Sequence, residues 1–227
     1  MPSSQPLAGW KPVALPRPAS LAGRCVQLFP LSAEKHTADL WSAVQGHDEV
    51  WDYLSDGPYA TEPDLRRAIE AKEAGTAAAF LAIIPKASGK AEGYASYMRM
   101  DPANGVIEVG NILMTPSLQK TTAATEAMYL MARHIFDDLG YRRYEWKCNA
   151  LNGPSRRAAL RYGFTFEGIF RQHMIIKGQN RDTAWFSMLD SEWPARKTAF
   201  EAWLDPTNFD ADGHQRKSLS QIAANLP

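Results

Sequence analysis

Between Glu108 and Gly168 the chain lays down a strand, a turn rich in Thr and Ala, a helix, a second strand, and a helix led by Asn and closed by Gly-Phe. Two strands joined through a helix have to run parallel, because the crossover returns the chain to the same end of the sheet. Each strand also feeds a helix start. The first N–H groups of a helix have no internal partner, so a strand-to-helix turn is a ready anion site. Two such turns side by side suit a ligand with a phosphate end and a reactive end.

The flanking segments read as hairpins and surface helices. Arg24–Leu28 is a strand. Ser32 caps a helix that runs to Gly46 with Leu40, Trp41 and Val44 on its apolar side. Thr61, Pro63 and Asp64 start a second helix, which Gly75 stops. Phe80–Ile84 and Glu92–Met100 are strands about a Pro-Lys-Ala-Ser-Gly-Lys turn, and Asn104-Gly105 turns into the strand Val106–Met114. A helix spans about Thr122 to Leu139 and ends at Gly140. Arg142–Asn149 is a strand, Gly153–Tyr162 a helix, and Phe164–Phe170 and Thr183–Leu189 are closing strands. One parallel pair set among hairpins predicts a single α/β (α+β) domain over 21–204, with a mixed, mainly antiparallel twisted sheet flanked by helices. Residues 1–20 form an extended Pro-rich arm, either loose or pinned through Trp10, Val13 and Leu15. Residues 205–227 are a polar, loosely packed tail with a short helix from Ser218.

Charge excludes some functions. Lys+Arg and Asp+Glu are both 25, so nothing in the balance points to nucleic acid or a membrane surface. No apolar run reaches the ~20 residues that cross a bilayer. The first residues lack the apolar segment of a signal peptide, and two cysteines among 227 residues make no disulfide framework. A cytoplasmic protein, monomer or homodimer, is expected. The histidines show no metal-ligand spacing, so no metal site is expected.

Three motifs carry a resemblance. They are EVGNILMTP followed by SLQKTTAATEA, then NGPSRRAALRYGF, and finally FRQHMIIKGQNRDTAWFSML with Arg181-Asp182 entering the last strand. Together they resemble the GNAT superfamily of acyl-CoA-dependent N-acyltransferases, within it the branch of ribosomal-protein N-terminal acetyltransferases and their relatives. The likeness extends more weakly over about Leu21–Trp193. It implies a sheet splayed between Val106–Met114 and Arg142–Asn149, the fourth and fifth core strands. It implies acetyl-CoA as co-substrate and an amine as acceptor.

The resemblance also assigns roles. Ile112, Leu113 and Met114 pair with the pantetheine arm as with an added strand. The pyrophosphate sits on the helix start formed by Gln119, Lys120, Thr121, Thr122, Ala123, Ala124 and Thr125. The branch places glycines where this chain has Lys120 and Thr122, so the lysine and the threonine hydroxyls become the added phosphate contacts here. Asn152 is a helix N-cap by its chemistry and a pantetheine ligand by resemblance. Ser155 is the candidate acid for the departing thiolate, since the position of the usual tyrosine is Ala159. Glu108 is the candidate base; the alternative is a strand charge paired with an arginine. Cys148 shares an apolar row with Tyr144 and Trp146 and reads as core. His134 reads as a solvated helix residue.

For the acceptor, Trp51, Tyr53, Arg171 and His173 are the expected contacts, on walls that also offer Trp41, Tyr59 and Trp185. An aromatic and acidic lining could hold a cationic amine. A protein N-terminus, a peptide, an amino acid or a related small amine all fit. Two other classes stay open: a non-catalytic acyl-CoA-binding or regulatory module, and a phosphate-binding protein that uses only the Thr-rich helix start.

Overall fold

The structure, a computed structural model, describes residues 7–225. Its strands are β1 (Leu21–Ala22), β2 (Val26–Pro30), β3 (Ala78–Pro85), β4 (Gly93–Asp101), β5 (Val106–Met114), β6 (Arg143–Asn149), β7 (Thr165–Ile176) and β8 (Gln179–Leu189). The helices are α1 (Ala33–Val44), α2 (Glu62–Ala74), α3 (Thr122–Arg133), α4 (Gly153–Arg161), α5 (Trp193–Leu204) and α6 (Leu219–Ala224). The strands form one sheet in the order β1–β2–β3–β4–β5–β6–β8–β7. Among the described residues β5–β6 is the one parallel pair, and every other pairing is antiparallel. The expected mixed sheet is therefore the observed one.

Two cores follow from alternation along the strands. Val26, Leu28, Leu81, Ile83, Tyr97, Ile107 and Val109 face α3. Ala82, Tyr94 and Leu113 face the other way, against Leu40 of α1 and Leu65 and Ile69 of α2. Residues Ala123 to Ala132 of α3 are all buried, which fits a helix packed on both sides. Its outer side meets α5, where Tyr129 lies against Trp193 and Phe200. The sequence reading has no helix in this third layer. A π-helical turn, His134–Asp138, carries α3 to Gly140, whose φ of 72° closes it.

The splay has a local cause. β5 and β6 pair only over Val106–Val109 with Arg143–Trp146. Opposite the β4 edge a bulge then opens, with Asn111 held at φ 50°. A bulge adds twist and bends its strand, so β5 leaves β6 where the second half of each strand begins.

The ends are tied to the domain. Trp10 Nε1 donates to the Ala103 carbonyl at 2.7 Å, and Val13 N to Pro102 at 3.1 Å. Leu15 is exposed and pins nothing. Residues 1–6 of the expected arm lie outside the described residues. The tail is anchored at two points, and residues 211–217 between them are exposed. Asn208 is buried and donates to the carbonyls of Trp203 and Lys217, and Leu219 of α6 is buried. Ser218 and Gln221 form a capping box at the start of α6.

Candidate active site

The α3 start keeps its open donors despite losing glycine. Thr121 is the N-cap, its Oγ1 accepting from Ala124 N at 3.0 Å and donating to Leu118 O at 2.7 Å. Among the described residues the N–H groups of Lys120, Thr122 and Ala123 have no partner. Lys120 stands at φ 62°, the left-handed conformation that suits glycine, so the backbone keeps a glycine-type turn with a lysine in it. The threonines are not equivalent. Thr121 serves the cap. Thr125 is 3% exposed and its Oγ1 contacts Thr121 O at 3.4 Å and Arg161 at 3.1 Å. Its hydroxyl is therefore closed to phosphate, unlike the expectation. Thr122 is half-buried, Lys120 and Gln119 are exposed, and Gln119 Nε2 donates to Met114 O at 2.9 Å.

Sequence reading missed Arg161. It reaches from the end of α4 to the first turn of α3, its guanidinium 4.9 Å from the Trp203 ring centre and 5.4 Å from that of Tyr162. This adds a cation behind the helix start.

Past Val109 the β5 edge facing β6 is free of strand partners. Thr115 N donates to Glu92 O, and Leu113 is register partner to Tyr94. Alternation then turns the Leu113 N–H and C=O toward β4, and those of Met114 toward the gap. Leu113 is thus buried against the α1–α2 core, and Met114 offers the backbone edge.

Glu108 lies just inside the point of divergence. Its Oε2 accepts from Arg99 at 2.7 Å and faces Lys147 Nζ at 3.0 Å. Its Oε1 has no hydrogen-bond partner among the described residues. The alternative reading, a strand charge paired with an arginine, is therefore part of the geometry. Lys147 also meets Glu145 at 2.7 Å, and Arg143 joins Glu145 to Glu167. The Lys147 ammonium stands 3.7 Å from the Trp185 ring centre. A cation over an aromatic face is attracted by the ring quadrupole. Lys147 and Arg99 carry no local sequence signal. They converge because Glu108 is the parallel register partner of Glu145, two residues before Lys147.

Behind this face lie Asn152 and Ser155. Asn152 Oδ1 caps α4 by accepting from Ser155 N at 3.0 Å. Ser155 Oγ accepts from Trp146 Nε1 at 3.0 Å, which leaves its own proton to donate. Burial pushes the adjacent Cys148 thiol pKa up, against a smaller opposing effect of the Ser155 hydroxyl. A protonated, buried thiol fits the reading of Cys148 as core.

The acceptor walls need one correction. Trp51 is 1% exposed, edge-on to Tyr59 at 5.2 Å, so its ring belongs to the α1–α2 core and not to a binding surface. Lys177 Nζ donates to its carbonyl at 2.9 Å and so fastens the β7–β8 turn to that core. Tyr53 is exposed and its hydroxyl donates to Leu151 O at 3.3 Å, in the turn between β6 and α4. His173 approaches Thr183 Oγ1 at 3.0 Å and lies edge-on to Phe170, which stacks on Trp185 at 4.4 Å. Arg171 is exposed beside them. His134 is not solvated: Nδ1 meets Asp138 at 2.8 Å while Nε2 is buried without a partner under Tyr97. Asp210, Asp212 and His214 lie close together in an exposed loop, where Asp210 accepts the loop's own N–H groups.

Residues 26–165 match the family model for the acetyltransferase (GNAT) domain. A GCN5-related N-acetyltransferase from Brucella melitensis is 50% identical, with 96% of this chain and 100% of that chain covered and a TM-score of 0.94. A probable acetyltransferase of the GNAT family from Chromobacterium violaceum is 40% identical, covering 86% of this chain and 98% of that one at a TM-score of 0.80. The acetyl transferase of Salmonella typhimurium that modifies the N-terminal serine of ribosomal protein L7/L12 shares the fold at 19% identity and a TM-score of 0.61, with 74% of this chain and 96% of that chain covered. No curated protein matches the sequence.

Proposed function

The chain belongs to the GNAT acetyltransferase family and is an acyltransferase, and we propose that it moves the acetyl group of acetyl-CoA to a primary amine by direct attack, with no acyl-enzyme. The observation that carries this is the gap past Val109, which sets the free edge of β5 between the open N–H groups of α3 and the Glu108 face. The residues fit the co-substrate. The N–H groups of Lys120, Thr122 and Ala123, with the Lys120 ammonium, take the pyrophosphate. The Met114 edge takes the pantetheine amides as an added strand. Asn152, its Oδ1 engaged in the cap, offers its Nδ2–H groups.

The amine arrives as an ammonium and attacks only after losing a proton. Glu108 takes that proton on Oε1, through water, while Arg99 and Lys147 keep Oε2 and fix the carboxylate. The nitrogen then forms a bond to the thioester carbon, the C–S bond breaks, and Ser155 gives its proton to the departing sulfur, its hydroxyl being restored by the second proton that the nitrogen loses as the amide forms. A backbone N–H on the gap side of β5, near Leu113, polarises the carbonyl.

Mass spectrometry of an amine panel incubated with protein and acetyl-CoA tests the reading. A product heavier by one acetyl group supports it. A thermal shift with acetyl-CoA and no acetylated amine supports the non-catalytic module instead. No shift at millimolar acetyl-CoA with folded protein counts against both.

A further inference from the structure

The face that holds Glu108 carries one cation more than it can neutralise. Arg99, Lys147 and Arg143 are each paired with Glu108, Glu145 or Glu167. Arg181 is not. Among the described residues its side chain makes no hydrogen bond and no ion pair, and its Nε is fully buried without a partner. Alternation along β8 puts Arg181 on the side of Thr183 and Trp185, and register places Trp185 opposite Lys147. Trp185 Nε1 is likewise buried and unpartnered. Buried donors of this kind are filled in folded proteins by a water or by a bound group. Burial pushes the Arg181 pKa down, while the charge of Glu108 pushes it the other way. A guanidinium stays charged in proteins, and its fork matches a carboxylate.

We propose that Arg181 binds a carboxylate carried by the acceptor close to its amine, so that the substrate class is a small amino-carboxylate such as a free amino acid. This rests on the reading of the site as an N-acetyltransferase. The amine then points at Glu108 and the carboxylate at Arg181, with the Phe170–Trp185–His173 aromatic wall between them taking the side chain. A chain N-terminus, whose first carboxyl is an amide, lacks this partner.

The test compares kcat/KM for amino acids and for their carboxamides, with acetyl-CoA saturating. The wild type should prefer the acid by roughly 10–100-fold, the range that a charged hydrogen-bonded contact gives. Arg181→Gln should collapse that ratio through KM, and Arg181→Lys should keep part of it. Equal use of acid and amide by the wild type overturns the proposal without any variant. A peptide amide with an acidic first residue, used as well as the free acid, keeps the Arg181 contact but overturns the free amino acid. Calorimetry with N-acetyl amino acids against their amides reads the contact apart from turnover. Acid preference in binding with no transfer breaks the acetyltransferase reading alone; no acid preference in either assay breaks this one.

Discussion

Glu126 and Glu108 are both buried acids, one beneath the β1–β2 turn and one where β5 and β6 part, and their partners differ in kind. Glu126, on α3, accepts from the backbone N–H groups of Arg24 at 2.7 Å, Cys25 at 2.5 Å and Val26 at 3.1 Å. A Cβ on Gly23 would run into its carboxyl group, so the turn is shaped around the acid. Glu108 is held by the side chains of Arg99 and Lys147, and one oxygen is left over. Backbone donors cannot move without unfolding the turn. Cationic side chains can shift as a proton or a charged ligand arrives. Burial alone does not mark a reactive acid; an acid with an unfilled oxygen and movable partners has chemistry to offer.

Exchange of each acid should break in a different observable. Glu108→Gln should lower the transfer rate by about 10²–10⁴-fold, the usual worth of a general base. Full activity in this variant across the pH range would mean that another group takes the proton. Its melting temperature needs measuring beside the rate, because Lys147 then keeps only Glu145. Glu126→Gln should act on stability. It turns an amide toward N–H groups that need acceptors, and charged hydrogen bonds of this kind sum to about 3 kcal/mol or more. For a chain of this size that is roughly 6–12 °C in Tm. Transfer per folded molecule should hold, as Glu126 lies on the far side of the sheet from Glu108. A variant that melts normally but loses transfer would erase the contrast between the two acids.

Ser155→Ala should have a smaller effect than loss of the base. A free thiol has a pKa of ~8.5, so help in protonating the thiolate matters modestly near neutral pH and fades above that value. A loss of about tenfold at pH 7 that shrinks by pH 9 is expected in steady-state rates. A loss that stays constant with pH would point to packing, since Trp146 Nε1 also loses its acceptor.

What the sequence discloses differs between the same two regions. Period-two apolar rows, caps and Gly stops mark the hairpins, α3 and the parallel pair, because those signals are local. Trp193–Leu204 escapes because its apolar residues, Trp193, Ala199, Phe200, Trp203 and Leu204, wrap broadly round the helix instead of forming one stripe. The cap at Thr121 and the cap at Asn152 are readable from residue type. Lys147 and Arg99 are not, since their meeting at Glu108 depends on strand register across two pairings. Trp51 misleads for a related reason. Aromatics beside carboxylates look like an amine cage in sequence, and only tertiary packing shows that this ring faces inward.

Lys120→Gly carries the smallest expected effect and separates charge from backbone at the α3 start. The left-handed conformation at φ 62° disfavours a residue with a Cβ by about 1 kcal/mol or more. Glycine removes that strain, but it also gives the unfolded chain more freedom, which offsets part of the gain. The net should be a stabilisation below about 1 kcal/mol, seen as a small rise in Tm. Acetyl-CoA affinity should fall less than tenfold, because an exposed ammonium contributes little through solvent and the N–H donors remain. That loss should shrink as salt rises. Tighter binding in the variant would show that close backbone approach outweighs the lysine charge. A loss well beyond tenfold would make Lys120, and not the helix start, the main phosphate ligand.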